Sequence, residues 1–100
     1  MTVEQVRQAM ETILEASYVH IEDNSWQHAG HVGATGADGT HLAVTVVSKQ
    51  FEGCSFLDRH RLVHQALKAI LGNGLHALEL KTIAQSEWEA EQRQRHQAAQ

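Results

Sequence analysis

The chain has no proline and only one cysteine, Cys54, in 100 residues. A single thiol excludes an intramolecular disulfide and fits a reducing compartment. It also leaves the chain unable to supply by itself the four thiolates of a conventional iron–sulfur or all-cysteine zinc site. No apolar run reaches the roughly 18 residues a membrane-spanning helix needs, and Met1 to Gln8 lacks the apolar stretch of a secretory signal, so no membrane role and a cytoplasmic location are expected. The formal net charge of −4 gives no general attraction to polyphosphate, so any DNA contact must come from a local basic patch working against the net field. No GxSxG, HExxH or P-loop sequence occurs, and Cys54 lacks the neighbours that mark thiol nucleophiles. The expectation is a protein that is not an enzyme.

What is present is patterned. Hydrophobic residues make up 42% of the chain and charged residues 20%, enough for the core of one domain. Val3, Val6, Met10, Ile13 and Leu14 recur at three- and four-residue spacing, which predicts a first helix ending near Ala16. Tyr18 to Glu22 alternates as a short strand, with Val19 and Ile21 on one side. Asp23 to Gly39 holds four of the seven glycines and no periodicity, so it reads as a long loop. His41 to Ser48 is the clearest strand, with Leu42, Val44 and Val46 sharing a face. A helix follows from Ser55 or Asp58 to Leu71, with Leu62, Val63, Ala66, Leu67 and Ile70 as its apolar stripe, and Gly72-Asn73-Gly74 ends it. Leu75 to Thr82 is a third strand. Ser86 with Glu89 forms a capping-box pattern that opens a last helix containing Trp88. The domain is expected over residues 1–90, and the polar tail, residues 91–100, to fray for want of an apolar stripe.

The order is therefore α-β-β-α-β-α. A right-handed crossover makes the second and third strands parallel, and the first two are antiparallel neighbours. The fold class is α+β, a three-stranded mixed sheet with helices on one face.

The chain carries eight histidines, whose neutral imidazoles are good ligands for zinc, iron and copper. His28 and His31 lie in the glycine-rich loop, His60 and His64 four apart on the central helix, and His76 in the pleat register of Leu78 and Leu80. Taken alone, the loop pair is half a zinc site, and solvated loop histidines fit the spacing equally well. HxxxH without the zincin glutamate fits histidines flanking a core stripe. Arg59-His60-Arg61 is the one short basic cluster, but on a helix its two arginines point about 200° apart. A solvated or salt-bridged helix start explains them at least as well as a phosphate contact does.

Taken together, FEGCSFLDRHRLVHQAL at 51–67, LHALELKT at 75–82 and the pair Glu87-Trp88 resemble the BolA family, and the likeness runs over nearly the whole chain. The resemblance implies a class II KH-like fold and a non-enzymatic partner of monothiol glutaredoxins. It implies a [2Fe–2S] cluster shared with glutaredoxin and glutathione, with no cofactor when the chain is alone. The family's ligands would be the histidine of the HAL motif, here His76, and a residue of the loop between the first two strands. SWQH aligns His28 with that loop ligand, and His31 is the alternative. Cys54 follows the second strand, outside the loop, and is not assigned as a ligand. Imidazole in place of thiolate raises a cluster's potential and makes it acid-labile, properties suited to iron–sulfur trafficking or to iron and redox sensing. Bacterial members of the family are also described as DNA-binding transcription regulators of cell morphology and stress response. For that alternative the available cations are Arg59, Arg61, Lys49 and Lys68. A monomer or weak homodimer is expected for the chain alone.

Overall fold

The computed structural model describes residues 3–23, 41–71 and 77–98. The elements are α1 (Val3–Ile13), β1 (Tyr18–Asp23), β2 (His41–Ser48), a 3-10 turn (Lys49–Phe51), α2 (Phe56–Leu71), β3 (Ala77–Ala84) and α3 (Gln85–Ala98). The sheet order is β1-β2-β3, with β1 antiparallel to β2 and β2 parallel to β3. Element order and strand directions are those expected from the sequence pattern. Segment 24–40, expected as a loop, and the stop signal Gly72-Asn73-Gly74 lie outside the described residues.

Strand periodicity builds the core. Leu42, Val44 and Val46 of β2 are buried on one face, flanked by Val19 and Ile21 of β1 and by Leu78 and Leu80 of β3. On that face α1 contributes Val6, Ala9, Met10 and Leu14, and α2 contributes Val63, Ala66 and Leu67. Ile70, predicted on the buried stripe, is instead exposed near the end of α2. α1 ends at Ile13 rather than near Ala16, because Glu15 takes a left-handed conformation with φ 53° and the Ala16 amide turns back to bond Met10 O at 3.1 Å.

α1 and α2 meet the expected arrangement of helices on one face, and α3 departs from it. Tyr18 alternates with the inward Val19, and the Trp88 ring stacks on Tyr18 with centroids 4.7 Å apart and planes 18° from parallel. The start of α3 therefore lies on the opposite face, where Val47 is also buried. β3 runs directly into α3 at Ala84–Gln85, so Trp88 finds apolar cover within the helix's first turn. β3 runs two residues past its predicted end, to Ala84, and the predicted first residues of the strand, 75–76, lie outside the described residues. α3 is helical to Ala98, through most of the tail expected to fray, and Arg95 pairs with Glu91 at 2.7 Å along its exposed surface.

Three local devices fix the connection from β2 to α2. Ser48, buried at the end of β2, donates from Oγ to Leu14 O at 2.6 Å and accepts the Gln50 amide at 3.0 Å, tying the end of α1 to the 3-10 turn. Gly53 then turns the chain with φ 71°; a Cβ there would meet no atom within 4 Å, so the demand for glycine comes from the backbone angle and not from crowding. Ser55 caps α2, its Oγ accepting the Asp58 amide at 3.2 Å. Ser48→Ala leaves the buried Leu14 carbonyl without its donor, and a loss of about 1–2 kcal/mol in urea unfolding is the expected result.

Candidate functional site

Three chain points meet at one end of the sheet. Asp23, the last residue of β1, pairs with Leu42, and His41, the first residue of β2, pairs with Ala77, the first of β3. Segment 24–40, which carries His28 and His31, is thus anchored at both ends where β3 begins. His76 is one peptide unit, about 3.8 Å of Cα spacing, from Ala77. His28, His31 and His76 themselves lie outside the described residues. Among the described residues no group of three or more His, Cys, Asp or Glu side chains is arranged to hold a metal ion. Cys54 lies beyond the opposite end of β2, a strand about 23 Å long at the usual rise, and its thiol donates to Gln50 O at 3.5 Å. His64 is exposed on α2, and His60 is half-buried beside a hollow between α2, β3 and α3.

At the other end of β3 sits a polar hub built on Arg59. Arg59 precedes Val63 by four residues and Ala66 by seven, which places it on the buried stripe of α2, and it is only 7% exposed. Its Nε donates to Cys54 O at 3.0 Å and its Nη1 to Thr82 O at 3.2 Å. The guanidinium also pairs with Glu87 of α3 through both nitrogens, Nη1 to Oε1 at 2.9 Å and Nη2 to Oε2 at 3.4 Å. The Phe56 ring lies 5.2 Å from its central carbon, within range of a cation–π contact.

Glu87 has a second task. Its Oε1 accepts the Ala84 amide at 2.8 Å, three residues back, which is the glutamate half of a capping box. The predicted Ser86–Glu89 box is therefore displaced to Ala84–Glu87. Ser86 instead gives its amide and hydroxyl to the Glu52 carboxylate at 2.8 and 3.0 Å. Two carboxylates thus satisfy free amides at the positive end of α3. The hydrogen bond from Arg59, then that from the Ala84 amide, lowers the Glu87 pKa below the ordinary glutamate value.

Of the four candidate DNA-contacting cations, Arg59 is therefore turned inward and satisfied. Arg61 is exposed and pairs with Asp58 at 3.3 Å, and Lys49 and Lys68 are exposed on other parts of the surface. The Arg59–Glu87 pair was missed in the sequence. Its signal was the four-residue spacing of Arg59 to Val63, which marks a charge on a buried stripe in need of a partner.

The sequence profile of the BolA family, described as BolA-like protein, matches residues 10–87. The chain belongs to the BolA-like family. It is 45% identical over 84 residues to the protein BOLA1, chloroplastic, of Arabidopsis thaliana, covering 82% of this chain and 52% of that one, so it spans about half the relative's length. It is 30% identical over 89 residues to the DNA-binding transcriptional regulator BolA of Escherichia coli (strain K12), covering 89% and 81% of the two chains. Among solved structures, the BolA domain of SufE1 from Arabidopsis thaliana superimposes with a TM-score of 0.69 at 36% identity, covering 84% of this chain and 92% of that one. For this BolA-like protein, the RHR and EW motifs supply the two partners of the hub, Arg59 and Glu87. Of HAL at 76–78, Ala77 and Leu78 are the first described residues of β3, at the far end of the strand.

Arg59→Ala removes the donor for two backbone carbonyls and for Glu87; because Glu87 is half-exposed, the expected cost is about 2–3 kcal/mol by denaturant unfolding, short of a fully buried pair. Because the folded pKa of Glu87 is depressed, its contribution is complete above the unfolded carboxylate value and fades as pH falls through the folded one. Unfolding midpoints measured from about pH 7 to about pH 3 should fall less steeply for Glu87→Gln than for the unaltered chain.

Proposed function

We propose that this BolA-like protein is a non-enzymatic, cytoplasmic partner of a monothiol glutaredoxin, and that it shares a [2Fe–2S] cluster through His76 and His28, with His31 as the alternative loop ligand, in iron–sulfur trafficking or iron and redox sensing. The observation that carries this reading is the pairing of Asp23 with Leu42 and of His41 with Ala77, which brings the stems of the loop segment and the start of β3 to one end of the sheet. The donor chemistry fits a shared site. Imidazoles are good iron ligands, whereas the one thiol lies at the opposite end of β2, so the remaining ligands have to come from a second protein. When bound, the cluster would supply one-electron chemistry and transferable iron and sulfide. This chain's part is to present two neutral imidazoles and a docking surface around them.

A second reading is DNA-binding regulation, favoured by the similarity to the DNA-binding transcriptional regulator BolA of Escherichia coli. For that role the surface offers Arg61, Lys49 and Lys68, since Arg59 is held inside. Affinity falling steeply with salt and insensitive to cluster loading would mark it.

The test is co-expression with a monothiol glutaredoxin, followed by visible absorption, circular dichroism and iron and sulfide analysis of the purified complex. His76→Ala should remove the mixed-cluster spectrum while cluster-free docking persists, and His28→Ala should weaken the spectrum more than His31→Ala. An unaltered spectrum in the His76 variant overturns the proposal.

A further inference from the structure

β3 is an edge strand, and its outer edge is protected over only part of its length. Residue by residue, the amide and carbonyl of a strand point alternately to the two sides. Thr82 O accepts from Arg59 and the Ala84 amide donates to Glu87, so the even-numbered residues of β3 face outward. The hub therefore closes the edge at 82–84. Leu78 and Leu80 present their outward amides and carbonyls to no partner among the described residues. On either side of Leu80, Glu79 and Lys81 are exposed on the face opposite the core, and neither forms an ion pair among the described residues.

We propose that this open edge pairs with the same edge of a second copy, antiparallel and centred on Leu80. Only outward residues can face each other as hydrogen-bonded pairs, so the permitted registers differ by steps of two. Centred on Leu80, the two leucines exchange two backbone bonds. Glu79 of each copy then stands opposite Lys81 of the other, in the close non-hydrogen-bonded position. Shifted one way, Glu79 faces Glu79; shifted the other, Lys81 faces Lys81. The sequence Glu79-Leu80-Lys81 is thus complementary to itself in one register and repulsive in both neighbours. Beside it, a hollow of about 290 Å³ is lined by the apolar Phe56, Leu80 and Ile83 together with the charged Arg59, Glu87 and Glu91, and at its rim Phe56 and its neighbour Leu57 are 71% and 60% exposed, which supplies apolar area next to the pairing. Arg59 and Glu87 stop the pairing from extending along the rest of β3, so the dimer is short and weak. The inference does not depend on the cluster proposal.

Sedimentation equilibrium of the full chain from about 10 μM to about 1 mM should show reversible dimerisation that salt weakens. Glu79→Lys and Lys81→Glu should each weaken it about tenfold, and the double variant E79K/K81E should restore it to within about threefold, because the swapped charges again face their opposites. Amide exchange at Leu80 should slow with concentration in the unaltered chain and in the double variant, but in neither single variant. A chain that stays monomeric throughout overturns the proposal. So does a dimer indifferent to the single substitutions, which would use another surface, or a failure of the double variant to recover.

Discussion

A buried guanidinium needs every one of its donors answered, and Arg59 sets the terms on which the C-terminal half of this protein closes. Its partners come from three separate places: the turn before α2, the outer edge of β3, and the first turn of α3. Leaving any of them out would strand a charge in the interior. That requirement ties the first turn of α3 to the edge of β3 and protects the end of the strand at Thr82.

The hub also reassigns the meaning of the most recognisable motif in the chain. A short Arg-His-Arg cluster on a helix suggests a surface for phosphate, yet its first arginine is spent on a carboxylate and two carbonyls within the domain. The Glu-Trp pair belongs to the same construction. Glu87 closes the hub and caps α3, while Trp88, one residue on, stacks on Tyr18 and holds α3 against the face that α1 and α2 leave open. The hub lies at the end of β3 opposite the one where Asp23, His41 and Ala77 come together, so the arrangement that stabilises the fold does not compete for side chains with that end.

Edge protection here is uneven, and the unevenness has content. Arginine and glutamate occupy the outward groups of the last residues of β3, whereas Leu78 and Leu80 have no such cover among the described residues and adjoin the charges of Glu79 and Lys81. Charges on an edge commonly serve to prevent pairing. The order of the two charges about Leu80 makes them selective instead, repelling shifted registers and accepting one.

Much of this was legible in the sequence. Alternation in β2 and β3 and the stripe of α1 and α2 predicted the core, and of the two starts expected for α2, Ser55 and Asp58, Ser55 is the one that caps it. The third helix was read less well. Its residues have little apolar asymmetry, so nothing in them says which face of the sheet they cover, and the deciding contact joins Trp88 to a tyrosine seventy residues earlier. The candidate histidines were found as residue types on a loop and beside a strand, with the family resemblance giving them a shared task. The sequence by itself determined the order of elements, the apolar faces and the available chemistry, because periodicity and capping depend on residues close together in the chain. What the folded chain settled is that Arg59 is internal, that α3 crosses to the other face, and that the edge of β3 at Leu78 and Leu80 has no cover among the described residues, because each depends on groups far apart in sequence that meet once the sheet has closed.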